Sequence, residues 1–148
     1  MTRVNTTRGT RRLSLAIVAL AAFAVLATGC DMSPEAWDSA VSVNNEREAR
    51  GLRPLDLDKV LNEKAQAWAD QMAASRSVSH SVLTQGVGDN WRVLGENVGW
   101  ARSSGEMHQM FMKSPSHRST MLDGSYTRLG VGVSVVDGRL YTAQVFAG

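Results

Sequence analysis

Cysteine, proline and histidine are scarce in this sequence: its 148 residues include one cysteine, three prolines and three histidines. A single cysteine cannot form a disulfide within the chain, so a hydrophobic core alone must hold the folded domain together. The longest apolar run, residues 13–26, is shorter than the roughly 20 residues that a membrane-spanning helix needs. No concentrated basic face is evident, which argues against a nucleic-acid partner. The length suits one domain with a real core, and not two.

Residues 1–29 have the organisation of a secretory signal, because a basic start is followed by the apolar run and then by small residues. These small residues stand directly before Cys30, an arrangement that resembles a bacterial lipobox. We therefore expect a lipoprotein signal peptide over 1–29, lipidation of Cys30 and a tether over 30–38, with the membrane as a partner outside the cytoplasm. The alternative is ordinary cleavage nearby, a secreted product and a free thiol. Four of the 16 basic residues and none of the 14 acidic residues lie in 1–29, so removal changes the net charge from +2 to −2.

Three helices and one long loop are predicted in the mature chain. The first helix covers about 35–50 and stops at Gly51. The second follows Asp56 or Asp58 and ends near residue 75, with a core-facing stripe of Leu61, Ala65, Trp68 and Met72. Residues 77–105 show little periodicity and are predicted to form a long loop. A third helix is expected over about 105–113, with an apolar side of Met107, Met110 and Phe111. We expect the tryptophans at 37, 68, 91 and 100 to anchor the core or the loop.

The C-terminal residues predict a β-hairpin. Valines alternate with smaller or polar residues over 131–135, and the alternation resumes after Asp137-Gly138, a favoured two-residue turn. Gly130 and Gly132 leave room for another backbone to approach closely. Helices followed by a terminal hairpin indicate an α+β domain.

A short helix is predicted to begin just before His117. Ser114 can accept hydrogen bonds from free amides as the N-cap, and Pro115 suits the first helical position. The first turn of a helix disfavours a charged imidazolium, so the His117 ring should be neutral. A neutral imidazole can accept a proton or bind a metal, which makes His117 the first candidate for a reactive or metal-binding residue.

Several short motifs, in this order, resemble the CAP superfamily (the SCP-like, cysteine-rich secretory and pathogenesis-related proteins), in particular its short bacterial members. They are Asn44-x-x-Arg47, Gly51-Leu52-x-Pro54-Leu55, Asp58-x-x-Leu61-x-x-x-Ala65, His80-Ser81, Gly95-Glu96-Asn97, Ser114-Pro115-Ser116-His117-Arg118, Gly130-Val131-Gly132-Val133 and Tyr141-Thr142-Ala143-Gln144-Val145-Phe146. The resemblance implies a CAP domain over 39–148, folded as a three-layer α-β-α sandwich in which a further strand joins the hairpin.

The resemblance also implies a cleft lined by two histidines and two acids. His80 corresponds to the first histidine, Glu96 to the first acid and His117 to the second histidine. Ser114 stands where eukaryotic members have the second acid, so any mechanism that needs two carboxylates is in doubt. Whether Glu106 or His108 takes the place of that acid is left open. Asn97 and Ser114 are expected to support the structure.

Three roles for the cleft remain open at this point. The favoured role is a binding module of the cell envelope for a small apolar ligand, a metal or an envelope protein, and an exposed apolar groove near the third helix would support it. The second is a hydrogen-bonded network without chemistry. The third is a metal-assisted hydrolase acting on envelope peptides or glycans, with His80, His117 and Glu96 as Zn²⁺ ligands and catalytic candidates. The enzyme ranks last because the second acid is missing and no nucleophile is evident.

Overall fold

The last strand of the chain, β4 (Arg139–Ala147), lies inside the sheet and is buried along nearly its whole length. The computed structural model describes residues 32–148, so the predicted signal peptide and the lipidation of Cys30 lie outside the described residues. The elements are α1 (Pro34–Glu48), β1 (Asp56–Leu57), α2 (Lys59–Ser75), β2 (Leu94–Ala101), α3 (Ser104–Lys113), α4 (Pro115–Met121), β3 (Arg128–Val136) and β4 (Arg139–Ala147). Among residues 32–148, no helix is long and apolar enough to cross a bilayer.

The sheet has the strand order β1-β3-β4-β2. The hairpin of β3 and β4 turns at Asp137 and Gly138, which both have positive φ as this tight turn requires. β2 pairs antiparallel with β4 and forms one edge of the sheet, with Glu96 opposite Val145. The prediction of a loop over 77–105 is therefore wrong for residues 94–101. The glycines and polar residues of β2 lie on both sides of this edge strand. The sequence of β2 therefore lacks the alternation of apolar and polar residues by which a strand is recognised.

Helices cover both faces of the sheet, and the predicted α-β-α sandwich is confirmed. The core on one face joins α2 to β2 and β4, and its largest members are Leu61, Met72, Tyr141 and Val145. The core on the other face joins α1, α3 and α4 to β3 and β4, with Val43, Phe111, Met121, Leu129 and Phe146 among its members. Burial on both faces explains why the β4 sequence is mostly apolar, with Thr142 and Gln144 as its buried polar residues.

Helix α2 lies directly against the backbone of β3. A Cβ atom at Gly130 or Gly132 would overlap the backbone of α2 at Leu61 or Ala65, as the sequence predicted. β1 is only two residues long, so most of the outer edge of β3 has no strand beside it. Side chains of α2 fill this gap: the Asn62 Oδ1 atom accepts from the Val131 amide at 2.9 Å, and Gln66 hydrogen-bonds both the amide and the carbonyl of Val133.

The helix ends follow the sequence closely, with two exceptions. Asp58 is the N-cap of α2, where its carboxylate accepts from the Leu61 amide at 3.1 Å. In contrast, Ser114 precedes α4 without a side-chain cap, because its hydroxyl pairs with that of Ser116. Helix α1 begins at Pro34, one residue before its predicted start, so the last five residues of the predicted tether over 30–38 are helical.

Candidate functional site

Glu96 is a buried carboxylate that holds His80 in place. Its side chain points from β2 towards the α2 face and is only 2% exposed. One oxygen accepts from the His80 Nδ1 atom at 2.7 Å and from the Ser81 amide at 3.0 Å, and the other accepts from the Ser81 hydroxyl at 2.6 Å. These bonds compensate the cost of burying the carboxylate. When the His80 Nδ1 atom donates to Glu96, the neutral ring has its lone pair on Nε2. The His80 side chain is 64% exposed.

His117 approaches His80 from the other side of strand β2. It lies in the first turn of α4, and its ring packs on Phe111 with 4.8 Å between the centroids. Burial lowers the pKa of His117 below its ordinary value of 6.5, and the charge of the nearby His80 lowers this pKa further. The ring is therefore predominantly neutral at pH 7, as the sequence predicted, although burial is the main cause and not the helix dipole.

A buried polar network fixes the backbone of His117. The Asn97 side chain is fully buried, and its Nδ2 atom donates to the His117 carbonyl at 3.1 Å and to Gln144 Oε1 at 3.2 Å. The Gln144 amide in turn donates to the Ser39 hydroxyl at 3.0 Å. The network thus connects α1, β4, β2 and α4. Sequence reasoning missed Gln144 and Ser39, and the available signal was a glutamine within an otherwise apolar central strand.

Neither candidate for the missing second acid joins this cleft. The Glu106 carboxylate accepts from the Arg102 amide at 2.8 Å, near the start of α3. His108 lies at the contact between α1 and α3, where its Nε2 atom is 3.3 Å from Glu46. Within residues 32–148, no three side chains of histidine, cysteine, aspartate or glutamate are grouped closely enough to hold a metal ion. Of the predicted site residues, Glu96 contacts His80 directly, and both Glu96 oxygens are engaged in hydrogen bonds.

An apolar groove lies beside the cleft, between β2 and α3. We call it the Trp100 groove; its cavity of about 520 Å³ is lined by Val78, Gly99, Trp100, Ala101, Arg102, Glu106 and Met110. Trp100 and Met110 are 41% and 49% exposed, so Trp100 does not belong to the core, which was one of the two roles expected for the tryptophans. Met107 and Phe111, the other predicted apolar residues of α3, are buried. The Arg139 guanidinium lies 4.6 Å from the centre of the Trp100 ring.

The α-β-α sandwich, with helices on both faces of a four-stranded sheet, defines the fold class of this protein. The family model of the cysteine-rich secretory protein family, CAP, matches residues 42–147, and the chain belongs to this family. It is 29% identical over 128 residues to the uncharacterised protein YkwD of Bacillus subtilis; the match covers 79% of the chain but only 49% of that relative. The chain thus spans about half the length of this relative.

Solved structures show the same fold. An outer surface protein of Borrelia burgdorferi matches with a TM-score of 0.66 and 16% identity, over 73% of this chain and 87% of that one. An extracellular protein of Bacillus anthracis that contains an SCP domain matches with a TM-score of 0.61 and 26% identity, over 71% of this chain and 37% of that one. The CAP resemblance found in the sequence motifs is therefore confirmed, together with its fold.

Proposed function

We propose that this protein is an exported, lipid-anchored binding domain of the cell envelope, with the Trp100 groove as its site for a small apolar ligand. The observation that carries the proposal is the exposure of Val78, Trp100 and Met110 around one cavity of about 520 Å³. Ligand sites in proteins are commonly apolar cavities of roughly 300–1,000 Å³ with a few polar groups at the rim. The signal-like residues 1–29 and the lipobox-like stretch before Cys30 support export and anchoring.

The charges around the groove indicate which charge the ligand should carry. The Arg139 guanidinium, stacked over Trp100, places a positive charge beside the apolar surface. Glu106 contributes a carboxylate to the lining, and this carboxylate already accepts from the Arg102 amide. A ligand with an apolar body and a negatively charged head would therefore meet matching chemistry in the groove.

Removal of Trp100 is expected to weaken binding of such a ligand about tenfold or more, because the ring supplies the largest apolar surface in the groove. The measurement is a titration of parinaric acid, a fluorescent fatty acid, into a soluble form that begins at Asp31, beside Trp100→Ala and Met110→Ser. Trp37→Ala is the control, since Trp37 is even more exposed than Trp100, at 54% against 41%, but lies on α1. The absence of binding, or equal binding to wild type and Trp100→Ala, would reject the groove as the site.

A second candidate function is binding of a divalent metal such as Zn²⁺ by the two imidazoles. It is favoured by the bond between Glu96 and the His80 Nδ1 atom, since metal-binding histidines commonly donate their other nitrogen to a carboxylate. The donor set fits two protein ligands, His80 and His117, with water completing the coordination. Glu96 fits the role of a positioning group and not of a third ligand, because both its oxygens are occupied. A bound metal could activate water for the hydrolase considered above.

Zinc titration by calorimetry tests this second function. We expect binding that is lost in the double variant His80→Ala/His117→Ala and weakened about tenfold in Glu96→Gln, as is typical when a carboxylate only orients a ligand. His108→Ala is the control, because His108 is paired with Glu46 outside the cleft and should bind like wild type. An equal loss in Glu96→Gln and the double variant would make Glu96 a direct ligand. No heat from the wild type would remove the metal and the metallohydrolase together.

A further inference from the structure

A second exposed apolar surface lies on α1, far along the chain from the groove. Trp37 is 54% exposed, and Val41, one helical turn later, is exposed on the same side. Pro54 and Leu57 flank these residues, and the four side chains border an open cavity of about 210 Å³. Asn44 holds the flanking segment against α1 through two hydrogen bonds to the Leu55 backbone, at 3.0 and 2.8 Å. We call Trp37, Val41, Pro54 and Leu57 the α1 outer face.

The position of this face relative to Cys30 limits what can cover it. Pro34, the first residue of α1, follows Cys30 by four residues, so their Cα atoms are at most about 14 Å apart. Trp37 lies about 5 Å further along the helix axis. A lipid attached to Cys30 would therefore keep the beginning of α1, with Trp37, within roughly 20 Å of the bilayer surface.

The same side of α1 changes from apolar to polar along the helix. Trp37 and Val41 occupy the half near Cys30, whereas Asn45 and Glu48 border the cavity at the far end. Tryptophan favours the interface between water and acyl chains, because its ring is apolar and its N–H group is polar. A helix with this gradient suits a bilayer that meets its N-terminal half only.

We propose that the α1 outer face rests on the bilayer surface to which Cys30 is anchored, with Trp37 inserted into the interfacial layer. The inference depends on the proposed lipid anchor and adds an orientation, in which the outer face of α1 meets the membrane.

The small size of the face favours the membrane over a protein partner. A stable protein interface buries about 800 Å² on each side, whereas half of a tryptophan and one exposed valine supply roughly 150–200 Å². Such a contact is too weak for association between free molecules. A tether of a few residues raises the local concentration enough to make a weak contact effective. Asp38 and Glu48 are exposed beside the face, so insertion of apolar side chains, and not attraction to anionic lipids, would hold it.

The test uses the full lipidated protein in vesicles of phosphatidylcholine, with and without bromine atoms on the upper acyl chain. Bromine quenches tryptophan only at short range. We expect brominated vesicles to quench part of the fluorescence of the wild type, and this part to be lost in Trp37→Ser. Trp100→Ser is the matched control and should keep the quenching. Flotation of the same vesicles measures anchoring independently.

The outcomes separate the orientation from the anchor. Flotation with quenching that depends on Trp37 supports the proposal. Flotation without quenching, or with quenching unchanged in Trp37→Ser, overturns the orientation while the anchor stands. Failure to float removes the anchor and, with it, this inference. If Trp37 is instead covered by a second copy, quenching is absent and cross-linked dimers disappear in Trp37→Ser, which also overturns the proposal.

Discussion

Replacement of Arg47 by alanine is expected to lower the free energy of unfolding by about 4 kcal/mol, which approaches the whole stability of a marginal domain. Arg47 is only 1% exposed, although it lies on α1 among charged neighbours. Its guanidinium donates to three backbone carbonyls, those of Arg53, Met121 and Asp123, at 2.8–2.9 Å. Alanine would leave these carbonyls without their donor and open a cavity between α1 and the segment after α4.

Urea denaturation followed by circular dichroism measures this loss. Arg50→Ala is the control, because Arg50 lies three residues further along, just after the end of α1, and its side chain hydrogen-bonds only to the partly exposed Glu46. An exposed pair of this kind contributes at most about 1 kcal/mol. The free energy of unfolding of Arg47→Lys should be closer to that of Arg47→Ala than to that of the wild type. One ammonium group cannot reproduce the planar guanidinium that reaches three acceptors. If Arg47→Ala lowered the free energy of unfolding by less than Arg50→Ala does, the three hydrogen bonds of Arg47 would make no net contribution to stability.

Gly132→Ala is expected to lower the free energy of unfolding by about 3 kcal/mol or more, because the added methyl group overpacks the contact between β3 and α2. The added Cβ would overlap the backbone of α2 at Ala65 and Gln66, which no change of rotamer can relieve. Helix α2 would have to move away from β3, and the two hydrogen bonds between Gln66 and Val133 would lengthen. The effect would therefore combine lost packing with weakened hydrogen bonds along the outer edge of β3.

Thermal unfolding of Gly132→Ala beside Gly105→Ala tests the argument. Gly105 lies in α3, a Cβ there meets no atom within 4 Å, and alanine favours a helix over glycine. The control should thus be unchanged or slightly stabilised. Equal melting temperatures for Gly132→Ala and wild type would mean that α2 does not approach β3 as closely as described.

Strand β2 explains how His80 and His117, which are far apart in the sequence, are both held by neighbouring residues of one strand. Neighbouring residues of a strand face opposite sides, so Glu96 points to the α2 side and Asn97 to the side of α4. Glu96 fixes His80 from the loop after α2, and Asn97 fixes the backbone of His117. The Glu-Asn pair on an edge strand thus holds one histidine on each side of the sheet.

Local patterns were sufficient for the helices, the hairpin and the close approach at Gly130 and Gly132. Apolar spacing, the Asp58 cap and the Asp137-Gly138 turn act within a few residues, so a sequence displays them directly. Patterns of this kind did not reveal β2, because Gly95-Glu96-Asn97 lacks the alternation of a strand with one buried face. The motif order indicated the histidine cleft only through the resemblance to CAP proteins.

The sequence by itself therefore determined the helices, the C-terminal hairpin and the family, since these depend on short-range propensity and on motifs. Only the tertiary structure decided which polar residues meet and which apolar residues stay exposed. Arg47 and Gln144 are buried because partners from distant segments satisfy them, whereas Trp37 and Trp100 are exposed because neighbouring elements leave them uncovered. Burial depends on how the layers assemble, so the same side chain in the same local pattern can be either buried or exposed.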